Sequence, residues 1–164
     1  AIYWHFQNKA DLFDAMMRRV TLPRETGFAC AGADESPDPL GSMRGGVART
    51  FLQTMQDPQL QRVFEIAMLK TELVDELQVV RDRQVAYRAQ CLADIERIFA
   101  AAQALGQLDA KVVPAAAALG GLALIDGLLY NWLLHPASFD LQQVGLAALD
   151  AYLAGLAPQA LPRG

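Results

Sequence analysis

A chain of 164 residues can build one domain with a sizeable core, or a small head joined to one. Hydrophobic residues make up 53% and charged residues 20%, which excludes a disordered chain. The net charge of −4 and pI near 5.1, taken alone, argue against a surface built to hold nucleic acid. Two cysteines, Cys30 and Cys91, are too few for a disulfide framework and fit a reducing, cytoplasmic setting.

The chain opens on an aromatic cluster, Ile2-Tyr3-Trp4-His5-Phe6, without the basic start, apolar run and cleavage site of a signal peptide. A start there would leave large side chains with nothing to pack on, so further residues are expected upstream. Read as a helix, the segment turns Ile2 and Phe6 to one side and Trp4, flanked by Tyr3 and His5, almost the opposite way. Aromatics on an outward face need something to dock against, either upstream residues or a partner. Asn8 then caps a helix with Asp11 at a capping-box-like spacing, and Leu12, Phe13, Met16, Met17 and Val20 mark its buried side. Lys9, beside the free N–H groups of that first turn, is placed to hold a phosphate.

Pro23, Gly27 and Gly32, followed by Ser36-Pro37-Asp38-Pro39, predict a break between head and body over residues 22–37. A helix with Leu40, Met43, Val47, Phe51, Leu52 and Met55 follows, weakened by Gly41, Gly45 and Gly46. Asp57 caps and Pro58 opens the next, which carries Leu60, Val63, Phe64, Ala67 and Met68. A long helix runs from about Val74 to Leu105 and stops at Gly106; its stripe is Leu77, Val80, Tyr87, Cys91, Ile95, Ile98 and Ala102. Asp109 is expected to cap the next helix, with Pro114 distorting its first turn and Pro136 beyond its end. The last helix covers Leu141 to Leu156. No segment has the two-residue period of a strand, so the fold class is all-α.

From Val112 to Leu134 the only charge is Asp126, which raises the question of a membrane span. A buried Asp opposes insertion by about 3 kcal/mol, Asn131 adds to that, and the Ala- and Gly-rich first half inserts weakly. A soluble core helix is therefore expected, with no membrane partner. On its wheel Leu122, Ile125, Asp126, Leu129 and Leu133 form one stripe, and Gly121, Leu124, Leu128 and Trp132 another. A helix apolar on two sides must be covered from two sides. The last helix repeats the pattern, with Leu146, Leu149, Leu153 and Leu156 on one side and Leu141, Val144, Ala148 and Tyr152 on another. Two such helices from each of two chains would make a four-helix homodimer contact through Gly121, Leu124, Leu128, Trp132, Leu149, Tyr152 and Leu153. The other arrangement is a monomer with both helices central.

A carboxylate in an apolar stripe must meet a partner, be protonated, or face a cavity. Asp126 is thus either a hydrogen-bonded core residue or the polar anchor of a greasy small-molecule site. Phe64 and Met68, one turn apart, and Cys91 and Ile95, one turn apart, are the side chains expected around it. Nothing points to an enzyme, a metal or a cofactor: His5 and His135 are far apart and lack acid or thiol neighbours at catalytic spacing, and no phosphate loop or nucleophile elbow is present. Cys91 reads as a buried thiol and His135 as a helix-end histidine.

The opening Ala1-Ile2-Tyr3-Trp4-His5-Phe6-Gln7-Asn8-Lys9-Ala10-Asp11-Leu12-Phe13 resembles the end of the TetR-family DNA-binding domain, where a YWHF-x-NK-x-x-L signature closes the recognition helix. The resemblance implies a helix-turn-helix head ending near residue 21, a connecting segment 22–37, a helical ligand-binding and dimerisation domain 38–157, and a tail 158–164. It implies that Tyr3, Trp4 and His5 contact DNA in the major groove and Lys9 a phosphate. The rest of the head, with most of the basic surface, would lie upstream. Glu65-Ile66 through Lys70, Gly106-Gln107-Leu108, and Asp126-Gly127-Leu128-Leu129 through Trp132-Leu133-Leu134 and Pro136 are similar to the AcrR- and TtgR-like branch that represses multidrug efflux-pump operons. There the positions of Met43, Val47, Phe64, Met68, Cys91, Ile95, Leu122, Ile125, Asp126 and Leu129 line the drug cavity. Phe64 and Met68 replace polar side chains, implying a more apolar pocket. The expected partners are operator DNA, an apolar or aromatic effector and a second copy. A metabolite sensor of the same family, for fatty acyl compounds for example, or a helical module without a DNA role, would share most of these features.

Overall fold

The computed structural model describes residues 32–65, 68, 78–136 and 138–158, and upstream of these only residues 11 and 15. Tyr3, Trp4, His5, Lys9 and the Asn8 cap lie outside the described residues. Five helices follow one another without a strand among the described residues: α1 (Pro39–Gln56), α2 (Pro58–Glu65), α3 (Gln78–Ala104), α4 (Pro114–Leu134) and α5 (Leu141–Leu156).

Their boundaries follow from caps. Asp38 accepts a hydrogen bond from Gly41 N at 2.9 Å, and Pro39 takes the first helical position, where a missing N–H leaves nothing unsatisfied. Asp57 serves two helices: its N–H closes α1 on the Gln53 carbonyl, while its Oδ1 accepts from Gln59 N and Leu60 N of α2. Gly106, at φ +75°, ends α3 in the left-handed conformation that glycine adopts without strain. Gln107 N then reaches back to Ala102 O and Gly106 N to Gln103 O, a Schellman closure. Asp140 caps α5 through Gln143 N at 2.7 Å.

The start of α4 corrects the expectation that Asp109 caps it. Pro114 is the first helical residue, and Val113 precedes it without a side-chain cap. A proline four residues inside the helix would clash with the preceding turn, so the helix begins at the proline instead. Asp109 organises a turn, accepting from Lys111 N at its carboxylate and from Val112 N at its carbonyl.

Helices α1, α3, α4 and α5 form a closed ring of neighbours, α1 on α3, α3 on α4, α4 on α5 and α5 on α1, with α2 reaching α4. Apolar side chains at helical spacing meet inside: Met43, Val47 and Phe51 of α1; Ile95, Ile98, Phe99 and Ala102 of α3; Leu122, Ile125 and Leu129 of α4; Leu141 and Leu149 of α5. Each such large side chain stabilises the fold by about 1.5–3 kcal/mol on burial. The Phe51 ring lies directly over Gly145; a methyl group there would stand 2.5 Å from Phe51 Cε2. Polar ties lock the end where α3 turns into α4. Gln107 donates to Asp38 Oδ1 and accepts from Leu40 N, and Gln103 Nε2 donates to the Asp109 and Val112 carbonyls.

Candidate functional site

The residues expected around a small molecule come from four helices and the segment after α2. Met43, Val47, Ile95, Leu122, Ile125 and Leu129 are all buried in one cluster, and Phe64 and Met68 pack half-buried against it. Cys91, one turn before Ile95 on α3, is half-buried. Periodicity explains the convergence: 122, 125 and 129 fall on one face of α4, and 91 and 95 on one face of α3.

Asp126 stands beside Ile125 on that helix, with its side chain 28% exposed. Of the three fates open to its carboxylate, the structure shows a partner. Oδ2 accepts from Arg88 Nη1 of α3 at 2.5 Å, and the Arg88 side chain is 50% exposed. The acid is thus neither isolated among leucines nor free in solvent; it forms a charge pair on the rim of the apolar cluster. Arg88 went unrecognised in the sequence because the pair spans 38 residues. The available signal was its position one turn before Cys91, on the side of α3 that continues to Ile95. Chemically, the rim offers N–H donors and carboxylate acceptors next to a large apolar surface, a combination that holds an apolar body by one polar substituent. Among the described residues no group of three His, Cys, Asp or Glu is placed to bind a metal ion.

The residues expected at a subunit contact divide differently. Gly121, Trp132 and Leu149 are enclosed by their own subunit; Tyr152 and Phe99 pack over Gly121, and Leu149 has no exposed surface. Leu124, Leu128, Tyr152 and Leu153 are half-buried, and the Tyr152 hydroxyl donates to the Ala117 carbonyl at 2.7 Å. The apolar face that α4 turns outward is another one: Leu119, Ala123, Tyr130 and Leu134, with Leu119 at 52% and Leu134 at 56% exposure. On α5 the outward face carries Val144, Ala147, Ala151 and Ala154. A helix apolar all round does not announce which stripe its own subunit covers; of the expected contact residues the subunit encloses Gly121, Trp132 and Leu149 and leaves Leu124, Leu128, Tyr152 and Leu153 partly open. By length and composition α4 could cross a membrane, yet it packs against α3, α5 and α2.

Residues 38–158 match the C-terminal region of MAATS-type transcriptional repressors of the TetR group. The chain is 33% identical over 141 residues to the transcriptional regulator TtgR of Pseudomonas putida, covering 86% of this chain and 67% of TtgR. It thus spans about two thirds of that relative's length. Among solved structures it is similar to NalD, the secondary repressor of the MexAB-OprM multidrug efflux pump in Pseudomonas aeruginosa, with a TM-score of 0.81, 30% identity, and coverage of 96% of this chain and 78% of NalD. It is also similar to SmeT in complex with triclosan, with a TM-score of 0.80, 29% identity, and coverage of 98% and 81%. SmeT represses the SmeDEF multidrug efflux pump of Stenotrophomonas maltophilia. The all-helical body, its apolar cluster and these likenesses agree: the chain belongs to the TetR family of transcriptional repressors, in the MAATS-type group.

Proposed function

We propose that the protein is a cytoplasmic, homodimeric repressor of a multidrug efflux-pump operon, released from operator DNA when an apolar or aromatic molecule binds the helical body. The observation that carries this reading is the cluster of Met43, Val47, Ile95, Leu122, Ile125 and Leu129, edged by Phe64, Met68 and the Arg88–Asp126 pair. The likeness to SmeT, solved with triclosan, supports a small-molecule role for it. In this reading residues 1–21 complete a helix-turn-helix head, 22–37 connect, 38–157 sense and dimerise, and 158–164 are a tail. Tyr3, Trp4, His5 and Lys9 face DNA. The outward stripes of α4 and α5, with small residues at Ala123, Ala147 and Ala151, suit a four-helix contact with a second copy. Two recognition helices held at a fixed spacing read two half-sites one helical turn or a multiple apart. A ligand that prefers the wrongly spaced state by about 1.4 kcal/mol lowers DNA affinity tenfold.

Calorimetry and thermal shift of the chain against triclosan, planar antibiotics, flavonoids and dyes test the sensor. Saturable binding with a raised Tm is expected for at least one compound; silence across the whole panel would sink it. Sedimentation tests the dimer: Tyr130→Glu with Leu134→Glu is expected to yield monomers that stay folded, and an unchanged mass would place the contact elsewhere.

A further inference from the structure

Trp132 is 4% exposed, and its indole N–H is the one buried side-chain polar group without a hydrogen-bond partner among the described residues. A donor buried without an acceptor costs more than the bond itself would contribute, so folded chains rarely keep one without use. Neighbouring polar side chains do not serve it: Asn131 is exposed and donates to the Gly127 carbonyl. Seven residues after Ile125, Trp132 lies about 20° from it around α4, with Leu129 one turn back. Both neighbours are buried members of the cluster proposed to take the ligand.

We infer that Trp132 is a further ligand-binding residue, whose N–H donates to an acceptor oxygen of the bound molecule. This rests on the sensor reading above and narrows it. The ligand class becomes planar, largely apolar compounds carrying a carbonyl, ether or phenolic oxygen. Asp126 lies six residues earlier and about 120° away around the helix. The two polar contacts therefore address different atoms of one molecule: Arg88–Asp126 at the rim, Trp132 in the interior. A hydrocarbon can fill the cluster, but only a compound with an acceptor satisfies the indole.

Two naphthalenes of one shape test this. 2-Acetylnaphthalene carries a C=O where 2-isopropenylnaphthalene carries a C=CH2. The 164-residue chain is expected to bind the ketone about three- to tenfold more tightly. Trp132→Phe, which keeps a ring and removes the N–H, is expected to bring the two to parity. The indole 1H–15N resonance of Trp132, assigned by its loss in that variant, should move downfield with the ketone and not with the alkene; this readout serves even if the variant folds poorly. Equal affinities in the natural chain, or an indole resonance in contact with water and already hydrogen-bonded before any probe is added, would overturn the inference and leave the sensor reading intact. If neither naphthalene nor any compound of the wider panel binds, both fall together.

Discussion

At one end of the helical body, where α1 begins, α3 turns into α4 and α5 finishes, side chains and backbone interlock at each junction. Gln107 joins Asp38 and Leu40, Gln103 joins the Asp109–Val112 turn, and Asp109 N donates to the Leu156 carbonyl. At the other end Phe64, Met68, Cys91 and Leu128 are half-buried, and α3 meets α4 through the Arg88–Asp126 pair on the rim. The first end has the satisfied turns of a rigid scaffold. The second has side chains that can repack, methionine among them, which is what a guest needs. Function in this body is expected where packing is incomplete and polar groups are still available, and stability where neither is true.

The sharpest break sets the fully buried seam where α1 packs on α5 against the half-buried rim. Gly145→Leu has no space to occupy, because the buried Phe51 ring already lies over Gly145. A loss of about 3 kcal/mol in urea denaturation is expected. Met68→Leu, a volume-conserving change at a half-buried position of the loose end, should cost less than about 1 kcal/mol. Similar costs at the two sites would show that the buried seam and the half-buried rim do not differ in packing.

The next effect is on binding. Asp126→Ala removes the acceptor and leaves Arg88 without its partner. Hydroxylated members of the panel are expected to lose on the order of tenfold in affinity, purely apolar ones less than about twofold. Equal losses in both groups would remove Asp126 from the anchoring role and reduce the pair to a surface link between α3 and α4.

Much of this layout is legible in the residues, and the failures have a common cause. Asp57-Pro58 and Gly106 mark helix ends because cap geometry demands those residue types locally, and the structure agrees with them. Asp109 looks like the same signal, but an Asp that stabilises a turn and an Asp that caps a helix accept the same backbone hydrogen bonds, and only Pro114 distinguishes the cases. The apolar cluster around Ile95, Leu122, Ile125 and Leu129 follows from periodicity. Arg88 as the partner of Asp126, and Leu119, Tyr130 and Leu134 as the outward face of α4, do not, since both depend on which helices become neighbours.

A smaller effect separates polar ties from packing through pH. Burial pushes the Tyr152 phenol above its ordinary value near 10, opposed in part by the Gly121 backbone. The folded state therefore holds the proton more tightly than the unfolded one. The contribution is fully present below about pH 10 and is lost as pH rises through the raised folded value. Tyr152→Phe, which also deletes the bond to Ala117, should cost about 1 kcal/mol at neutral pH and lose less stability than the natural chain under more alkaline conditions. Parallel alkaline profiles would mean that the titrating group lies elsewhere.

The smallest effect is expected from the pair that looks strongest on paper. Arg44 binds Asp150 through two hydrogen bonds, at 2.5 and 2.8 Å, and these hold the Asp150 carboxyl below its usual range. The stability it adds is present above the ordinary aspartate value and is lost as pH falls through the lowered folded value. Both side chains are exposed, however, so water and salt screen the attraction and holding two long side chains costs entropy. Arg44→Met should lower Tm slightly at low salt and not at all in about 1 M sodium chloride. A drop larger than that of Tyr152→Phe, surviving in salt, would mean that charge rather than buried packing, such as that of Phe51 on Gly145, holds α1 against α5.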